Sequence, residues 1–238
     1  KALNLKKQER YADALEAYQV AIQIFEKNQF KGSFLSYSYK NAAQILQRLS
    51  NNHLAVAYLK AALQTDTSNT YPVSVCANLV NAYLFLDSLP EALRYHRLGA
   101  KYAALDPDLA QRASFQSAGA ALAFRQSEFP EAHRLTLAAL KYYRSQPDKT
   151  DNLLRSFTML AAIADVRHQP LAAEVRYREA EAEGKRSYRF KSREMAKLYI
   201  EWGHFLEKQQ QLDRALVCYQ QALVQAFPRF NSLQIADN

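Results

Sequence analysis

No run of eighteen apolar residues occurs in the chain, so the sequence offers no helix able to cross a bilayer. Cysteine is confined to Cys76 and Cys218, far apart and in neither metal-ligand nor CxxC spacing. That excludes a disulfide framework and a cysteine-held metal, and points to a reducing compartment, the cytoplasm. Glycine and proline number only 5 and 7 in 238 residues, too few for the tight turns of a strand-rich fold. Catalytic signatures are missing as well: no GxSxG, no glycine-rich phosphate loop, no HExxH and no calcium loop. The histidines His53, His96, His133, His168 and His204 are scattered about one per forty residues and form no ligand set. The chain therefore reads as a non-enzyme, with no cofactor and no metal. It begins at Lys1 without a charged segment leading into an apolar one. Because Lys1 falls inside a repeat, residues are expected to precede it; whether a signal peptide was among them stays open.

What the chain has in quantity is small residues at a fixed period. Ala215, Tyr219 and Ala222 lie four and three residues apart, on one face of a helix: a notch, a knob and a notch. The same trio falls on Ala14/Tyr18/Ala21, Ala55/Leu59/Ala62, Ala92/His96/Gly99, Ala132/Thr136/Ala139 and Ala173/Tyr177/Ala180. Successive anchors are 41, 37, 40, 41 and 42 residues apart. Twelve residues before each anchor stand Ala2, Ala43, Val80, Ala120, Ala161 and Gly203, all small or slim. Nine before stand Leu5, Leu46, Tyr83, Ala123, Ala164 and Leu206, all apolar. Two helices per repeat, A then B, account for these offsets. Between A and B the breaks fall at Ser50–Asn52, Asp87–Pro90, Ser127–Pro130, His168–Pro170 and Gln209–Gln211. Pro90, Pro130 and Pro170 open B helices, where a missing N–H costs little. Between repeats the breaks fall at Asn28–Ser33, Asp66–Pro72, Asp106–Asp108, Ser145–Asp148 and around Gly184–Ser187.

This pattern resembles the tetratricopeptide repeat, most clearly in Tyr199, Trp202, Gly203, Leu206, Ala215, Tyr219, Ala222 and Pro228. Asn78–Tyr83 followed by Pro90–Leu93 is nearly as good a match. The period exceeds the family's about 34, so the helices should be longer, as in the kinesin-light-chain-like variant. The resemblance implies an all-α fold, a right-handed superhelical solenoid of antiparallel helix pairs. It covers residues 1–226 as a truncated first repeat and five full ones. Residues 227–238 depart from the pattern and read as a tail or a linker to a following domain. The segment YQQALVQAFPRFNSLQIADN resembles the junction in bacterial proteins where such repeats precede a CHAT domain, a caspase-like cysteine protease. That resemblance implies a regulatory sensor arm of a larger protease, whose catalytic pair lies downstream.

The resemblance also says where a ligand would sit. Residues eleven, fourteen, fifteen and eighteen before each anchor face the concave groove of such a stack. In the second repeat these are Gln44, Asn41, Lys40 and Tyr37; in the third, Asn81, Asn78, Ala77 and Ser74; in the fourth, the small Ala121, Ala118, Ser117 and Ser114. Amides offer both donor and acceptor, which suits the backbone of an extended peptide. The expected peptide-binding residues are Tyr37, Lys40, Asn41, Gln44, Asn78 and Asn81, with Arg155 adding charge further along. The competing reading is that the asparagines bond between neighbouring A helices. The small fourth repeat leaves room either for a ligand side chain or for tighter coiling. Net charge of +8 is concentrated at Gly184–Lys197, where Lys185, Arg186, Arg189, Lys191, Arg193 and Lys197 alternate with Tyr188 and Phe190. Such a run can hold a phosphate backbone, but it more often covers apolar helix ends, so a nucleic-acid adaptor ranks last. Partners are thus a protein or peptide in the groove, a downstream domain, and the chain itself through solenoid ends.

Overall fold

The computed structural model describes residues 1–8, 10–67, 70–146, 148–188 and 191–227. Among them are twelve α-helices and no strand. The chain divides into two compact units, Lys1–Glu128 and Phe129–Asn238. The first holds α1 (Ala2–Lys7), α2 (Tyr11–Lys27), α3 (Ser33–Arg48), α4 (Asn52–Thr65), α5 (Pro72–Phe85), α6 (Leu89–Ala103) and α7 (Leu109–Arg125). The second holds α8 (Phe129–Arg144), α9 (Thr150–Val166), α10 (Pro170–Ser187), α11 (Arg193–Lys208) and α12 (Leu212–Ala226). Within each unit every helix packs on its neighbour in sequence, as expected of stacked helical hairpins.

The small residues sit where two helices cross. Ala14, Ala55, Ala92, Ala132, Ala173 and Ala215 are all buried, as are Ala43, Val80, Ala120, Ala161 and Gly203 twelve residues earlier. A side chain no larger than a methyl lets backbones approach, and the knobs Tyr18, Leu59, Thr136 and Tyr177 are buried beside them. His96 packs as a knob should, its ring stacked on Phe115 at 4.9 Å. In the second unit Tyr177 stacks on Trp202 at 5.8 Å and leans on Phe205 at 5.5 Å.

Proline and polar caps set the helix starts. Pro72 and Pro170 are first residues of α5 and α10, and Pro90 and Pro130 are second residues of α6 and α8. Asn51, Asp108 and Ser192 accept from free N–H groups at the starts of α4, α7 and α11. The A helices end by another device. Ser50, Asp87, Ser127, His168 and Gln210 each take a left-handed φ between 53° and 63°. Every one stands five residues before its anchor. The next N–H then turns back to a carbonyl five residues earlier: Asn51 to Leu46, Ser88 to Tyr83, Glu128 to Ala123, Gln169 to Ala164 and Gln211 to Leu206. This is the Schellman closure, built without a glycine after five A helices and again at Gln29 after α2, where the Phe30 N–H turns back to the Phe25 carbonyl.

The break expected around Gly184–Ser187 lies later. Helix α10 runs through Gly184 to Ser187, and Gly184 is buried against Met195. It is a further notch, not a turn residue. In the first unit, α7 packs along α5 through its small face, with Ala118 fully buried. Ser114, Ser117 and Ala121 are half-buried. Of the tail, residues 228–238 lie outside those described.

Candidate ligand-binding face

The A helices α1, α3 and α5 of the first unit share a polar face, linked across neighbours. Lys6 on α1 donates to Asn41 Oδ1 at 2.9 Å and Gln44 Oε1 at 2.5 Å on α3. Gln47 on α3 donates to the Asn78 carbonyl on α5 at 3.0 Å. Tyr37 and Lys40 continue this face toward the start of α5. There Asp66, itself buried, accepts from the backbone N–H groups of Thr70 and Tyr71 at 3.2 and 2.8 Å. That knot fixes Tyr71 as the residue before α5. Its ring lies 5.7 Å from Tyr37, and the Lys40 ammonium stands 4.0 Å from the Tyr71 centroid and 5.2 Å from that of Tyr37. Such cation–ring contacts are worth about 0.5–2 kcal/mol.

Neither Lys6 nor Lys40 has a carboxylate within ion-pair distance among the described residues. Burial, then the nearby charges of Lys40 and Arg48, pushes the Lys6 ammonium down to about 8. Burial pushes Lys40 down to about 8 too, against the weaker opposing pull of Asp66 and Asp108. Lys6 is thus held by amides and Lys40 by two rings, with the more distant Asp66 and Asp108 only partly offsetting the burial of Lys40.

The expected residues meet different fates. Tyr37, Lys40, Asn41 and Gln44 come together on α3, and Asn78 and Asn81 follow on the neighbouring α5. Asn41 is only 4% exposed and spent internally: its amide donates to the Tyr37 carbonyl at 2.9 Å while its oxygen holds Lys6. It positions the lysine. Asn78 and Asn81 are half-buried, and their side-chain amides make no hydrogen bond to the described residues. Arg155 belongs to the second unit, where it is exposed and pairs at 3.3 Å with Glu194, which is 6% exposed.

Lys6 and Tyr71 were not among the expected residues. A signal for both was present: Lys6 lies eight residues before its anchor and Tyr71 twenty-one before its own. Each extends the eleven-to-eighteen strip by one helical turn.

The basic run offers less. Lys185 pairs with Glu181 at 2.8 Å, Arg186 with Glu183, and Lys197 with Glu194 at 3.7 Å, while Lys191 donates to the Phe227 carbonyl at 2.9 Å. Arg189 and Phe190 lie outside the described residues. Nearby, Tyr219 donates to Glu207 at 2.8 Å and stands 3.1 Å from His204 Nδ1. No group of three or more His, Cys, Asp or Glu able to hold a metal occurs among the described residues.

The stacked hairpins and this polar face define a helical-repeat protein. No family model matches the chain, and no curated protein matches it in sequence. Among solved structures it is similar to BtubC (BKLC) from P. vanneervenii, with a TM-score of 0.64 and 14% identity over 97% of this chain and 98% of that one. A tetratricopeptide repeat protein from Parabacteroides merdae ATCC 43184 aligns over 96% of this chain and 92% of its own, with 14% identity and a TM-score of 0.45. The likeness to BtubC is one of fold.

Proposed function

We propose that the chain is an interaction scaffold whose first unit receives an extended protein or peptide segment along α3 and α5, with an acidic group between Lys6 and Lys40. The observation that carries this reading is the pair of half-buried ammonium groups that contact amides and rings but form no ion pair among the described residues. Burying the two ammonium groups costs free energy, and an incoming carboxylate recovers part of it through charge-assisted hydrogen bonds. Asn78 and Asn81, with unengaged amides one helix further on, suit the peptide units that follow. Tyr37 and Tyr71 give a flat apolar wall beside the charge.

The test is to pan random peptides with free carboxyl termini on the protein and measure the selected peptides by calorimetry. Acidic sequences should be enriched. The Asn78→Ala/Asn81→Ala double variant should bind about tenfold more weakly, since two neutral hydrogen bonds of ~0.5–1.5 kcal/mol each are lost. Helix content and melting temperature should stay at wild-type values. If the double variant unfolds, the amides are structural and the assignment fails. Equal binding by both proteins would also refute it.

A further inference from the structure

Neighbouring A helices within each unit touch at one recurring pair of positions. The residue twenty-one before its anchor on one helix meets the residue eighteen before the anchor on the A helix preceding it. Between α3 and α5 the pair is Tyr37 and Tyr71, with ring centroids 5.7 Å apart. Between α5 and α7 it is Ser74 and Gln111, whose Oε1 accepts from the Ser74 N–H at 3.4 Å. Between α9 and α11 it is Arg155 and Glu194, joined at 3.3 Å. The later residue of each pair therefore sits on the polar face beside the preceding A helix, and its chemistry changes along the chain.

In the first unit this residue is neutral. The Tyr71 ring carries the Lys40 ammonium 4.0 Å from its centroid, and Lys40 forms no ion pair among the described residues. Helices α3 and α5 contain no Asp or Glu at all. In the second unit the residue is a carboxylate. Glu194, with a side chain 6% exposed, accepts from Arg155 and lies 3.7 Å from Lys197. Glu201 stands near enough to feel both of those cations. A ring shares a cation weakly and leaves its N–H groups to other acceptors, whereas a carboxylate takes them and neutralises the charge. An acidic group arriving at the second unit finds its place filled by a like charge.

We propose that the residue twenty-one places before the anchor decides which section of the stack accepts an acidic group. Tyr71 leaves Lys40 open to one, while Glu194 supplies the second unit's own and shuts a ligand's out. This rests on the reading of Lys6 and Lys40 as the seat of an acidic group, and adds that acidic segments are confined to the first unit.

The probe is a tetraglutamate peptide blocked at both ends, titrated calorimetrically into the full chain at low salt. Circular dichroism checks the helix content of each variant. Wild type should bind one equivalent. Tyr71→Glu should bind at least about tenfold more weakly, because a carboxylate then stands beside Lys40. Tyr71→Gln, which loses the ring without adding charge, should stay within about fivefold of wild type. Glu194→Gln/Glu201→Gln should take up a second equivalent, at Arg155 and Lys197. The inference is overturned if Tyr71→Glu binds as wild type does, or if Tyr71→Gln loses as much as Tyr71→Glu. A double variant that keeps its helix content and still binds one equivalent overturns it too; should that variant unfold, the two Tyr71 variants decide. A wild type that takes up no probe refutes the proposed function instead. The inference is then upheld if the double variant gains an equivalent and overturned if it does not.

Discussion

Gly99 is the position at which one added methyl tests the crossing geometry most sharply. It lies in α6 where α5 and α7 converge, and a Cβ built on it would stand 2.4 Å from Phe115 Cε2 and 2.8 Å from Cys76 Cβ. Ordinary carbon contacts are about 3.5–4.0 Å, so Phe115 would have to retreat by more than ~1 Å. It has little room to do so, being buried and stacked on His96. Cys76 Cβ cannot swing aside at all, since it moves only with the backbone of α5. Replacing a helical glycine by alanine gains about 1 kcal/mol of helix propensity. Overpacking costs ~1–3 kcal/mol, and the two contacts here place Gly99→Ala at the upper end. The net expectation is a loss of about 1–2 kcal/mol, lowering Tm by roughly 2–8 °C.

Urea denaturation followed by circular dichroism measures this directly. Gly203→Ala is the matched control. There the new Cβ would meet the Tyr219 ring at 2.5 Å, but Tyr219 is half exposed and can turn outward, losing its bond to Glu207. That loss of ~0.5–1.5 kcal/mol is offset by the propensity gain, so the control should fall near wild type. Phe115→Leu in the Gly99→Ala background should restore part of the lost stability. If Gly99→Ala is as stable as wild type, the close approach of three helices at Gly99 is not real.

Three further outcomes follow from the same structure. Ser50→Gly and His168→Gly should each stabilise the chain by about 0.5–1 kcal/mol, because glycine takes a positive φ without strain; a rise in urea midpoint checks this. Lys6 and Lys40 bind protons more weakly in the folded chain than in the unfolded one, so their contribution to stability is level below about pH 8 and grows as pH rises from there toward their unfolded value. Above about pH 9 the buried thiols of Cys76 and Cys218, pushed up to about 12 and about 11, work in the opposite direction. The comparison is therefore of urea midpoints at pH 7.5 and 9 (round values near ~8 to ~9) in wild type and Lys6→Met/Lys40→Met, where only wild type should gain. For the same reason a bound acidic peptide should be held most tightly below about pH 8 and released as the two ammonium groups lose their protons; calorimetry in buffers of different ionisation heat would detect the linked proton uptake.

Much of the fold was legible because helical packing at a crossing demands small side chains, and alanine at a fixed period reports that demand directly. Ala92, Ala132 and Ala215 are buried as the period requires. Gly184 was misread for a physical reason: a glycine before a basic run looks like a turn, and only the Met195 sulfur over it reveals a notch. The five left-handed caps of the A helices carried no common residue type, being Ser, Asp, Ser, His and Gln. On the candidate face, the resemblance pointed to Tyr37, Lys40, Asn78 and Asn81 but could not separate Asn41, which is committed to Lys6, from its neighbours.

The sequence by itself determined which side of each helix turns inward and how the helices pair, because both depend on spacing within some forty residues. The tertiary structure alone decided which polar groups are left free. Asn41 is occupied because Lys6 arrives from 35 residues away, and Lys40 is poised because Asp66 draws Tyr71 beneath it. Spacing along a chain specifies a face; only the neighbours that reach it specify what that face can still bind.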